Sequence, residues 1–254
     1  GDMILTIAAR ELRTLFLSPL AWSVLAVVQL LLAFLFLARV EMYQLYQPQL
    51  LALDNAPGVT EIVLPDLLGN AAIVLLLVVP LLTMRLIAEE RRNKTLTLLV
   101  SAPVSMTEIV LGKYLGVLLF LLIVLVLIAL MPLSLLLGGG LDPGLLFSGL
   151  LGLAFLLAGF AAVGLFMSTL TQHPTVAAIA TFGALLLFWI LDWSGKGAEG
   201  AIDGNLFAYL SLFNHYKPFL DGLFSSADAA YHLLLIATFL VLSIRRLDAD
   251  RLAG

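Results

Sequence analysis

Long apolar runs alternate with short polar breaks along the chain, and the breaks mark off six segments of membrane-spanning length. Apolar residues dominate about 20–39, 68–86, 108–137, 145–170, 175–191 and 229–244. Runs of roughly 20 apolar residues are what a helix needs to cross a hydrocarbon core about 30 Å thick. Before the first run, Ile4, Leu5, Ala8, Leu12 and Phe16 recur at helical spacing, while Arg10, Glu11 and Arg13 fall mostly on the other side. This predicts an amphipathic elbow helix over about 3–17, lying in the membrane interface and stopped by Ser18 and Pro19.

The most polar break is also the most informative. Residues 85–103 read RLIAEERRNKTLTLLVSAP, with Glu89, Glu90, Arg91, Arg92 and Lys94 crowded together. Each Asp, Lys or Arg at a helix centre in hydrocarbon costs roughly 2.5–3.5 kcal/mol, so this stretch must face water. Residues 95–100 suit a brief surface helix that ends before Pro103. Tied at both ends to crossings, about 88–103 forms a handle on which a soluble partner can act.

The other breaks predict loops. Residues 40–68 carry Glu41, Asp54, Glu61 and Asp66 with Pro48, Pro57 and Pro65, and no basic residue, which predicts a loop on the opposite side. Residues 192–228 begin with flexible linker chemistry, but 206–224 are too apolar to float free and, with Asn214, His215, Lys217, Pro218 and Asp221, too polar to span. One or two short re-entrant or interfacial helices are predicted there. Gly149, Gly152, Gly159 and Gly164 in the fourth crossing allow close packing, within the bundle or across a dimer. Glu108 and Lys113 sit near the inner end of the third, where snorkelling is the expectation and an intramembrane ion site the alternative.

Composition agrees, at 62% hydrophobic and 12% charged residues against about a quarter charged in soluble domains. Residues 1–254 therefore read as a single all-α membrane domain. Of thirteen basic residues, ten fall on the side of the handle and only Arg39, Lys196 and Lys217 on the other. The positive-inside rule then puts both termini and the handle in the cytoplasm. The net charge of -4 argues against nucleic acid, and the absence of cysteine excludes disulfides and thiolate chemistry.

Catalytic signatures are missing. His173, His215 and His232 fall on a turn, an outer loop and an outer interface, which suits polar belt residues better than ligands, and HExxH and GxSxG are absent. Glu89 and Glu90 resemble the paired glutamates of CAAX-type intramembrane proteases, but Lys94 stands where those carry Arg and their later Phe and His elements are absent. No P-loop occurs, so neither ATP nor a metal is expected on this chain, and any ATP would be hydrolysed by a second protein.

The order elbow helix, Ser-Pro break, crossing, loop, crossing and MRLIAEERRNKTLTLLVSAPVSMTEIVLGKYLG resembles the permeases of ABC-2 type exporters. GLFMSTLTQHPTVAAIATF and YLSLFNHYKPFLDGLFSSADAAYHLLLIATFLVLSIRRLDADR extend the likeness to the gliding-motility, GldF-like branch. The resemblance implies a six-crossing, type V exporter-like permease of the bacterial inner membrane, paired with a second copy. It also implies a separate ABC ATPase that carries ATP and Mg, and a GldG-like auxiliary membrane protein. Glu89, Glu90, Arg91, Arg92, Asn93, Lys94, Thr95 and Leu98 would then form the coupling segment, helped by Arg10, Glu11 and Arg13. Tyr209, Phe213, Asn214, His215, Tyr216 and Phe219 would cap the dimer's outer mouth or meet the auxiliary partner. Such families commonly carry Gly-Thr and then a glutamate after the charged cluster; here Lys94 and Thr95 are followed by Leu96, Thr97 and Leu98. The alternative is a force-transmitting or scaffold subunit that drives the auxiliary protein without cargo.

Overall fold

The computed structural model describes residues 2–50, 56–95, 104–138, 140–195 and 209–253. In chain order the helices are α1 (Asp2–Leu17), α2 (Pro19–Leu50), α3 (Val59–Thr83), α4 (Ala88–Arg92), α5 (Met106–Leu133), α6 (Pro143–Leu170), α7 (Pro174–Gly195), α8 (Leu212–Leu220) and α9 (Ser226–Ala253). No strand occurs among the described residues, and α2, α3, α5, α6, α7 and α9 are long and apolar enough to cross a membrane.

The break after α1 has local causes. Pro19 opens α2 at a position where its missing N–H costs nothing, and Ser18 Oγ accepts from Leu20 N at 3.3 Å. Trp22 Nε1 reaches back to Phe16 O at 2.8 Å, which holds the elbow against the start of the first crossing.

Three crossings, α2, α3 and α9, outrun their apolar runs. α2 continues to Leu50, so much of the expected loop over 40–68 is helix, and α3 already begins at Val59. Residues 40–47 contain neither Gly nor Pro, and a helix once nucleated propagates through Gln, Glu, Met and Leu at little cost. A helix of 32 residues is about 48 Å long, so α2 projects well beyond the hydrocarbon. At the other end, α9 runs past Ile244 to Ala253.

α6 is the central strut, packed against α3, α5, α7, α8 and α9. Its start is capped by Asp142, whose Oδ1 accepts from Gly144 N at 2.8 Å, with Pro143 in the first turn. Its glycines serve the chain's own packing: a β-carbon would overlap Leu68 at Gly149, Phe219 at Gly152 and Thr83 at Gly164. Leu75, Phe120 and Phe160, all fully buried, fill the space between α3, α5 and α6. Among the described residues, the core between these three helices is thus tightly packed and largely apolar.

Candidate functional site: the charged cluster at one membrane face

Gly112 and Gly116, one turn apart, let α1 lie directly on the α5 backbone. A β-carbon at Gly112 would sit 2.6 Å from Ile7 Cβ, and one at Gly116 2.6 Å from Glu11 Cβ, both closer than side chains pack. That approach brings Glu11 to Lys113, on the next turn of the same face. Lys113 Nζ donates to Glu11 Oε2 at 3.1 Å and lies 2.8 Å from Glu90 Oε1. Lys113 is only 5% exposed, so it is a buried link between the elbow helix, α4 and α5 rather than a snorkelling side chain. Glu108, by contrast, closes a capping box with Ser105: its N–H donates to Ser105 Oγ at 3.2 Å and its carboxylate accepts from Ser105 N at 3.0 Å.

The bend between α3 and α4 hangs on one hydroxyl. After Thr83 the chain turns out of α3, and Ser168 Oγ on α6 accepts from Ile87 N at 2.9 Å and Ala88 N at 3.0 Å while donating to Met84 O at 3.2 Å. Removing it strands two buried donors, each costing about 1–3 kcal/mol. Ser168→Ala is accordingly expected to destabilise the folded chain by about 2–4 kcal/mol, read as a lower melting midpoint in detergent, whereas Ser168→Thr keeps most of that stability.

Of the predicted coupling residues, Glu90 points inward to Lys113, and Arg91 does the same towards α6 and α9. Arg91 donates to Thr169 O at 2.8 Å and pairs with Asp250 at 2.5 Å. Arg92, Asn93, Lys94 and Thr95 are exposed, as are Arg10 and Arg13 on α1, and Glu89 is half-exposed. Lys94 takes φ 56°, a left-handed backbone that glycine adopts more freely than lysine. The helix of the handle lies at Ala88–Arg92; the helix expected over 95–100 lies, beyond Thr95, outside the described residues, and so does Leu98. Between α1, α3, α4 and α5 a groove of about 310 Å³ opens, lined by Arg10, Thr14, Arg85, Glu89 and Asn93.

At the opposite face α8 is bound into the bundle. Tyr216 Oη donates to Leu68 O at 3.0 Å, Ser148 Oγ donates to Phe219 O at 3.0 Å, and Phe219 lies over Gly152. Burial pushes the Tyr216 phenol above its ordinary pKa. His215 is held between Asp228, 2.6 Å from Nδ1, and Tyr209 O, 2.8 Å from Nε2, and stacks on Tyr231 at 3.9 Å. His232 is fully buried on α9. Neither histidine is the surface belt residue expected: α8 turns His215 onto Asp228 and Tyr231 of α9, and His232 stacks on Phe155 of α6. Tyr209 remains exposed, and Phe213 and Asn214 partly so.

Sequence reasoning missed three residues of the charged cluster: Lys113 as its hub, Ser168 and Asp250. The spacing Gly112-xxx-Gly116 and the Ser105-xx-Glu108 box were available signals. Nothing local marks Ser168 or Asp250.

These features define a multi-pass helical membrane protein with an interfacial elbow and a charged segment locked to it at one face. The family of ABC-2 family transporter proteins matches residues 5–252, and the chain belongs to it, as the membrane permease subunit of an ABC transporter. A comparison with curated proteins returned no match.

Proposed function

We propose that this permease seats a separate ABC ATPase on the exposed charges of α1 and α4 and passes its movement into the bundle through Lys113. The observation that carries this reading is the buried bridge from Glu11 through Lys113 to Glu90, which ties the elbow and the handle to α5. Closure of an ATP- and Mg-loaded partner would pull α4 and α1 as one body, and α5 would follow. Rigid movement of packed helices between two arrangements is an established way to transmit such work. Among the described residues the core between α3, α5 and α6 is packed with buried side chains, which supports a pair of permeases with any path running between them.

The finer reading is a GldF-like permease of the bacterial inner membrane, both termini cytoplasmic, with a GldG-like partner at the far face. Tyr209, which is exposed, and Phe213 and Asn214, which are partly so, would meet that partner, whereas His215, Tyr216 and Phe219 are buried. The largely apolar core suits a lipid-like cargo and equally the cargo-free alternative, a subunit that transmits force to the auxiliary protein; reconstitution with the ATPase and assay of lipid-like cargo movement separates the two.

Because Glu90 is part of the internal bridge, docking is best tested on the exposed face. Arg13→Glu with Arg92→Glu is expected to reduce co-purification of the ATPase and permease-stimulated hydrolysis at least tenfold, with the melting midpoint unchanged. Full retention of both would refute the docking face. Since the chain lacks cysteine, single cysteines at Arg92 and Tyr209, labelled with an impermeant maleimide, report which face is cytoplasmic.

A further inference from the structure

At the face opposite the charged cluster, a groove of about 580 Å³ opens between α2, α3, α7 and α8. Its walls are apolar: Phe36 of α2, Ile73 of α3, and Trp189 of α7, whose ring sits 5.1 Å from that of Phe213 on α8. Ile73 is 51% exposed, so the groove opens to the lipid side as well as to its rim.

Among the described residues, the charged groups that line the groove are two cations and two carboxylates at its rim, Arg39, Asp66, Lys217 and Asp221. Arg39 and Asp66 form a salt bridge and cancel each other. Lys217 and Asp221 behave differently. Four residues apart at the end of α8, they are neighbours, yet each is exposed and they form no ion pair with one another. A positive and a negative group therefore stand side by side above an apolar slot.

We propose that this groove holds a phospholipid of the surrounding leaflet with an ethanolamine head. Its phosphate lies on Lys217, its primary ammonium on Asp221, and an acyl chain runs between Phe36 and Ile73. Charge complementarity selects this occupant. A glycerol head brings the phosphate without an amine and leaves Asp221 facing an anion. A choline head brings a cation with no N–H to donate, so it cannot hydrogen-bond the Asp221 carboxylate. The site lies at the far face from the ATPase-docking surface and does not depend on that assignment.

The test is native mass spectrometry of the full chain released from nanodiscs containing equal amounts of phosphatidylethanolamine, phosphatidylcholine and phosphatidylglycerol. Retention of the ethanolamine lipid should exceed that of each of the others by about fivefold, the upper range of an exposed ion pair. Asp221→Asn should erase its advantage over the choline lipid, and Lys217→Ala should lower retention of both. Both residues are exposed, so an unchanged melting midpoint checks the fold. Equal retention of the three lipids, preference for phosphatidylglycerol, or unchanged ratios in both variants would overturn the proposal. So would loss of the lipid when two copies associate, since a second copy would then be the occupant.

Discussion

Lys113→Met is expected to destabilise the permease by about 3–5 kcal/mol and to free the elbow helix from the bundle. The bridge brings Glu11 and Glu90 together only because a cation lies between them, within 3.1 Å and 2.8 Å. Taking one member from a buried ionic set leaves the others uncompensated, and that penalty exceeds what the intact set contributes. Methionine fills much of the lysine's volume, so the loss measures charge rather than a cavity. The triple change Lys113→Met, Glu11→Gln and Glu90→Gln removes the unpaired charge and should recover most of the melting midpoint. If the single variant melts like the parent chain, Lys113 is not the hub. A recovered fold in the triple variant that still fails to respond to the ATPase would assign the bridge a part in transmission beyond stability.

Gly116→Val should have a comparable structural effect by a steric route. Even a β-carbon at this position lies 2.6 Å from Glu11 Cβ and 3.0 Å from Ala8 O, so backbone rather than a flexible side-chain end must move. Overpacking of this kind costs about 1–3 kcal/mol, and here it also pries Glu11 from Lys113, raising the expected loss to about 3 kcal/mol. A single cysteine at Ile7, half-buried against α5, should become reactive to maleimide in the variant. Gly183→Val is the control, because a β-carbon there meets nothing within 4 Å, and its melting midpoint should stay unchanged. Equal effects of the two substitutions would show that the α1–α5 contact is not specific.

The loops show where sequence reasoning stops. Charges and prolines over 40–68 suggested irregular chain, yet α2 and α3 extend into it, since helix ends are decided by propagation and caps as much as by the membrane edge. In the same way, His215 and His232 are polar in a segment of interfacial character, but the burial of His215 depends on α8 packing against α9, and His232 stacks on Phe155 of α6. Gly149, Gly152 and Gly164 signalled close packing without naming the neighbour. The structure gives Leu68, Phe219 and Thr83 of the same chain.

By itself, the amino-acid order determined the six crossings, the elbow, its break at Ser18 and Pro19, and the gathering of most basic residues at one face. Those follow from local quantities: the length of an apolar run against the bilayer, and the cost of charge in hydrocarbon. The tertiary structure alone decided which charges face outward and which form the internal bridge. Lys113 and Glu11 lie 102 residues apart, and Arg91 and Asp250 lie 159 apart. No window of sequence contains both members of either pair, and only the packing of α1 on the glycines of α5, and of α9 beside α6, brings them together.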